Sequence, residues 1–177
     1  MRIISGRFKG KRITAPQKLP VRPTTDMAKE ALFNILNNRY YFADISLIDL
    51  FAGTGNISYE FASRGTEKIT AVDVHSGCVR FIEKISEELE LGIIVVKSDV
   101  FNYLQKSNGQ ADIIFADPFY DMPEEDFVKV VTGVFERGLL LEEGVLIIEH
   151  SSRMELSGLP HFVERRKYGG TAFSFFE

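Results

Sequence analysis

From Ile45 onward, short apolar runs alternate with stretches in which apolar residues return every three to four positions. The runs predict strands at 47–51, 68–73, 93–97, 112–116 and 145–149, and the stretches between them predict helices at 57–64, 76–89, 100–106 and 124–137. Strands and helices that alternate in this way build a mostly parallel sheet covered on both faces. The chain then changes character. Segments 162–167 and 171–176 are joined only by Tyr168-Gly169-Gly170, too short a link for a crossover helix, so an antiparallel hairpin is expected. The expected fold class is α/β, with a doubly wound, mostly parallel seven-stranded sheet: five parallel strands closed by an antiparallel pair.

Ahead of this body, residues 2–14 alternate apolar and basic side chains around Gly6 and Gly10, the pattern of a short, twisted β-hairpin with one basic face. Pro16, Pro20 and Pro23 keep the next stretch extended. Thr24 or Thr25 can cap a helix in which Ala28, Ala31, Leu32, Ile35 and Leu36 recur at helical spacing to about Asn38. The expected division is a basic arm over 1–23 and one domain over 24–177.

Charge sharpens this division. The formal net charge of −4 combines nine Lys and Arg against Asp26 and Glu30 up to Arg39, a balance of +7, with −11 over the remainder. Exposed cations that meet a polyanion release its counterions, so Arg2, Arg7, Lys9, Lys11, Arg12 and Arg22 are candidate contacts to a phosphate backbone, which the family resemblance given below makes RNA. At 177 residues with 45% hydrophobic and 26% charged positions, an ordinary soluble protein is expected. No apolar run approaches the roughly 20 residues of a membrane span, and the first residues lack a signal-peptide core. Cys78 has no second cysteine to pair with, which agrees with a cytoplasmic protein.

The chemistry concentrates where strands end, because ligands of open α/β sheets bind beyond the carboxyl ends of the strands. The first strand delivers Asp49-Leu50-Phe51-Ala52-Gly53-Thr54-Gly55-Asn56 to a helix start. Gly53 and Gly55 allow positive φ and a close approach of ligand to bare amides. Asp49 is placed for a cationic amine, and Ser58 stands where a dinucleotide fingerprint would carry a third glycine, which disfavours hydride transfer. Asp73, beside Val74, is placed for ribose hydroxyls, and Asp99, beside Val100, for an adenine amine. The acidic turn suits the amino-acid moiety of S-adenosylmethionine. Cys78 lies inside a predicted helix and reads as packing, and His75, His150 and His161 lack the spacing of a metal site.

The fourth strand ends in Asp117-Pro118-Phe119-Tyr120, which resembles the Asp/Asn-Pro-Pro-Tyr/Phe motif of methyltransferases acting on exocyclic amines of bases, with Phe119 in place of the second proline. Such an amine is a poor nucleophile, its lone pair being delocalised into the ring. Bonds to the Asp117 carboxylate and Pro118 carbonyl would pyramidalise it, while Phe119 and Tyr120 would stack on an extruded base. Arg2-Ile3-Ile4-Ser5-Gly6, Arg22-Pro23-Thr24-Thr25-Asp26, the glycine turn and Arg64-Gly65 occur in the same order as in the bacterial 16S rRNA (guanine(966)-N2)-methyltransferases, and the chain resembles that family over essentially its whole length. The resemblance implies a class I methyltransferase sheet with one strand inserted antiparallel near the edge. It also implies S-adenosylmethionine as methyl donor, S-adenosylhomocysteine as product, and Thr24 and Arg22 near the site. The implied partner is 16S rRNA, in a partly assembled small subunit, met by a monomer. The residues alone leave open a DNA adenine-N6 enzyme of the same chemistry and a non-catalytic RNA-binding module on the same fold.

Overall fold

The structure, a computed structural model, describes residues 1–19 and 24–177. Its elements are α1 (Asp26–Asn37), β1 (Ser46–Leu50), α2 (Asn56–Ser63), β2 (Lys68–Asp73), α3 (Ser76–Glu88), β3 (Ile94–Lys97), α4 (Val100–Lys106), β4 (Ala111–Ala116), α5 (Glu124–Glu136), β5 (Leu140–Ser151), β6 (Phe162–Tyr168) and β7 (Thr171–Phe176). One seven-stranded sheet runs in the order β3-β2-β1-β4-β5-β7-β6. The order reverses between β1 and β4, which opens a crevice at their carboxyl ends.

β7 pairs antiparallel with both β5 and β6, so among the described strands it is the one expected to run antiparallel near the edge, and edge strand β6 runs with the parallel set. Other expectations are corrected in detail. The strand expected at 145–149 extends to Leu140–Ser151, because Glu149 to Ser151 continue the ladder with β7 and Leu140 pairs with Ala111 across a register shift. Phe51 is not the last strand residue; its φ of 59° starts the turn. Thr25 caps α1, accepting from the Ala28 amide at 3.2 Å, which leaves the Thr24 side chain for another use. The hairpin expected over 2–14 closes by a single bridge, Arg2 with Arg12, because turns occupy the stretch around Gly6 and Gly10. Pro20 and Pro23, expected to keep the chain extended, lie outside the described residues.

Strand alternation divides the core into two layers. Leu47, Ala71, Phe115 and Ile147 pack with α1, α2 and α3 through residues such as Leu32, Phe61 and Ile82. Ile48, Val72, Ile114 and Ile148 pack with α4 and α5 through Val100, Phe127 and Val130. Two positions beyond each residue of the first set stands an acid: Asp49, Asp73, Asp117 and Glu149. All four are therefore directed to the α1–α3 side at the carboxyl edge of the sheet.

The N-terminal segment is docked on this layer by buried charge. Lys29 of α1 and Glu60 of α2, both 0% exposed, lie 3.5 Å apart. Lys29 Nζ donates to the Arg2 carbonyl at 2.7 Å and to Asn56 Oδ1 at 2.8 Å. Glu60 accepts from the Ile4 and Ser5 amides at 2.8 and 3.0 Å and from Arg64 Nε at 2.9 Å. Ile3 and Ile13 are buried in the same core. Gly6, with φ of 81°, passes so close to α2 that a Cβ there would stand 1.8 Å from the Ser63 carbonyl oxygen.

A buried pair of this kind is costly to break from one side, because the remaining charge keeps its desolvation penalty without a partner. Glu60→Gln is expected to lower stability by about 3–5 kcal/mol in urea unfolding. The double variant Glu60→Gln/Lys29→Met should recover part of that loss. A double variant less stable than Glu60→Gln alone would show that the charges are not coupled.

Candidate active site

The turn after β1 is held by hydrogen bonds rather than by composition alone. Phe51, Gly53 and Gly55 all take positive φ, and a Cβ at Gly55 would meet the Tyr59 ring at 2.7 Å. Asp73 accepts the Gly53 amide on one oxygen and the His75 amide on the other, each at 2.8 Å, so the end of β2 clamps the turn of β1. Asp49 is buried and accepts from Ser58 Oγ at 2.5 Å. Burial pushes its carboxyl up to about 7 against the lowering effect of that bond. Ser58, noted in the sequence only for not being glycine, is the residue that satisfies Asp49.

The opposite wall comes from β4 and β5. Pro118 is buried, whereas Phe119 and Tyr120 are 63% and 67% exposed, unusual for rings with no described packing role. Thr24 Oγ1 donates to Glu149 Oε2 at 2.7 Å, and the Thr24 carbonyl accepts from Asn56 Nδ2 at 3.3 Å. Burial, followed by the charges of Glu149 and Asp49, raises the Asp117 carboxyl well above the usual carboxylate range, opposed by the Thr24 hydroxyl.

One cavity of about 640 Å³ is lined from all these elements. It brings together Thr24, Asp49, Phe51, Gly53, Thr54 and Asn56 with Asp73 and Val74 and with the whole of Asp117-Pro118-Phe119-Tyr120. Three expected cofactor residues lie off its wall. Gly55 is buried at the start of α2, Asp99 caps α4 by accepting the Asn102 amide at 3.1 Å, and Val100 is buried in the α4–α5 core. Arg22 lies outside the described residues. Sequence reasoning passed over Glu149, although it follows the last residue of β5 paired with β4 as Asp117 follows the last residue of β4. It also passed over Phe127 and Tyr168, which line the cavity without any local signal. His75 caps α3 through Nδ1, and burial pushes the Cys78 thiol up to about 11.

Arg2, Arg7, Lys9, Lys11 and Arg12 are all exposed, Arg2 pairing with Asp26 at 3.3 Å. Their segment borders the site. A second hollow of about 370 Å³ is lined by Arg12, Pro16 and Leu19 together with Thr54, which also lines the main cavity.

The donor set tests the expected cofactor. Among the described residues, the main cavity is lined by Asp49, Asp73, Asp117 and Glu149 and by no lysine or arginine. A pyrophosphate would meet four acids without a counter-charge, whereas a ligand bearing a sulfonium, an ammonium and ribose hydroxyls matches them. The residues present fit S-adenosylmethionine.

A family model described as conserved hypothetical protein 95 matches residues 1–177. Ribosomal RNA small subunit methyltransferase D of Escherichia coli strain K12 is 30% identical over 162 residues, spanning 90% of this chain and 78% of its own. The protein of that name from Buchnera aphidicola subsp. Acyrthosiphon pisum is 32% identical over 157 residues, spanning 87% and 80%. Hypothetical protein TTHA0928 of Thermus thermophilus superposes with a TM-score of 0.86 at 27% identity, covering 100% of this chain and 99% of that one. A 16S rRNA N2 G1207 methyltransferase of T. thermophilus, solved with AdoMet and guanosine, shares the fold at a TM-score of 0.70 and 21% identity, over 90% of this chain and 45% of that one. The sheet is that of class I S-adenosylmethionine-dependent methyltransferases. Matched along its whole length, the chain belongs to the conserved hypothetical protein 95 family, with the ribosomal RNA small subunit methyltransferases D as its relatives.

Proposed function

We propose that the protein methylates the exocyclic N2 amine of a guanine in 16S rRNA, the nucleotide being guanine 966 by family resemblance. It acts as a cytoplasmic monomer on a partly assembled small subunit. One observation carries the reading: the Asp117-Pro118 pair and two exposed aromatic rings share a cavity with the acidic glycine turn. No helix of the described residues is long and apolar enough to cross a membrane.

S-adenosylmethionine, when bound, supplies an electrophilic methyl group on its sulfonium. Asp49 would hold its ammonium group, Asp73 its ribose, and the Gly53 turn its amino-acid moiety, with Phe51, Thr54, Asn56 and Val74 completing the wall. Asp117 and the Pro118 carbonyl accept the two N2 hydrogens of the base, which localises the nitrogen lone pair and aims it along the transfer axis. Phe119 and Tyr120 stack on the extruded base and exclude water from it. After transfer the nitrogen loses a proton to Asp117, whose raised affinity for protons suits it to receive one. Arg2, Arg7, Lys9, Lys11 and Arg12 grip the phosphates beside the cavity.

Asp117→Ala should bind S-adenosylhomocysteine within about threefold of wild type while losing methyl transfer by about 100-fold or more. Calorimetry and tritium transfer to small subunits from cells lacking the protein read the two effects separately; unchanged transfer would remove Asp117 from the mechanism. Cofactor binding also carries a pH signature. The Asp49 carboxyl is raised to about 7, so it loses its charge as pH falls through that value, and the ammonium group of the ligand loses its partner. Affinity for S-adenosylhomocysteine should fall between pH 8 and pH 6 by up to about tenfold per unit, and Asp49→Asn should flatten the profile. A wild-type affinity independent of pH would contradict that role. Finally, Lys9→Glu, Lys11→Glu and Arg12→Glu together should weaken RNA binding and reduce the salt slope by about 0.7–0.9 for each phosphate that is no longer neutralised. An unaltered slope would place the RNA elsewhere.

A further inference from the structure

The cavity contains one acid that neither the glycine turn nor the Asp-Pro-aromatic motif accounts for. Ala116 of β4 pairs with Ile148 of β5, so the next residues, Asp117 and Glu149, stand side by side where β4 ends and β5 runs on against β7. Both line the cavity. Glu149 is buried, and Thr24 Oγ1 fixes it from one side by donating to Oε2 at 2.7 Å. Thr24 is in turn held through its carbonyl by Asn56.

Two acceptors side by side call for two donors side by side, and the purines differ at that point. Guanine presents N1–H next to its N2 amine, two adjacent donors. Adenine presents a bare N1 lone pair next to its N6 amine. Resting on the methyl-transfer reading above, we propose that Glu149 accepts the N1–H of the target guanine while Asp117 accepts from its N2 amine, so that Glu149 selects guanine over adenine. An adenine in the same pose would set its N1 lone pair against the carboxylate, leaving two desolvated acceptors facing each other. Burial and, after it, repulsion from Glu149 raise the Asp117 carboxyl, and that repulsion is relieved when the base brings a donor to each acid. Thr24 is a positioning residue that keeps Glu149 turned to the base.

The probe that isolates N1 is 2-aminopurine, which keeps the N2 amine but has no N1–H. A 16S rRNA fragment is prepared with guanine or 2-aminopurine at the target nucleotide, and methyl transfer by the full chain is compared for wild type and Glu149→Gln. Wild type should favour guanine by about 100-fold or more in kcat/KM. In Glu149→Gln, whose amide can donate to a bare N1, that preference should fall by about tenfold or more, with transfer to 2-aminopurine rising in absolute rate. A rise is something a damaged fold cannot produce. Fluorescence of the 2-aminopurine RNA, read without cofactor, should show tighter binding by Glu149→Gln than by wild type. An unchanged ratio in Glu149→Gln, including an equal loss on both bases, overturns the assignment. So does a wild type that accepts 2-aminopurine as well as guanine, independently of any variant. No wild-type transfer to either the guanine fragment or small subunits would instead overturn the methyl-transfer reading itself.

Discussion

Side chains on a strand alternate between the two faces of its sheet, and in a parallel sheet the carboxyl ends of the strands lie along one edge. Here that constraint sends Asp49, Asp73, Asp117 and Glu149 to one side of one edge. Gathering like charges in a recessed cavity is unfavourable, and most of the surrounding polar structure answers it. Ser58 donates to Asp49, two backbone amides donate to Asp73, and Thr24 donates to Glu149. Burial, with the neighbouring charges of Glu149 and Asp49 added to it, still holds Asp117 well above the usual carboxylate range, and this is the carboxyl given the proton-accepting role in the proposed reaction. Stability and chemistry are thus set by the same clustering.

Much of the fold was legible because the apolar spacing carries it. The parallel strands, the helices between them and the closing hairpin all stand close to their expected places. What escaped depends on contacts between distant segments. Glu149 ends an apolar run with nothing beside it in sequence to mark it, and only its register with β4 places it next to Asp117. Lys29 and Glu60 look like polar positions on amphipathic helices, yet they meet in the core because the backbone of residues 2–5 completes their bonding. Asp99 illustrates the converse. It follows a strand as Asp73 does, but its carboxylate caps the next helix and lies off the cavity wall.

The basic segment is equally a product of long-range bonding. Its cations are exposed, but its backbone is anchored to α2 through Glu60 and Ser63 and to α1 through Lys29. The Phe8 amide donates to Ser63 Oγ, and that hydroxyl donates to the Ser5 carbonyl. Positive charge is therefore presented from a fixed platform beside the cavity, not from a tether that must be ordered on each encounter.

The close passage of Gly6 over Ser63 gives this platform an uneven tolerance to sequence drift. Lysine and arginine positions along the segment can trade places or charges and still leave the backbone where it is, because their side chains reach into solvent. Position 6 has no such freedom: any side chain would force the loop off α2 and withdraw two amides from a buried carboxylate. The charged surface of the segment is thus tolerant of substitution, while position 6, where its backbone touches α2, admits only glycine.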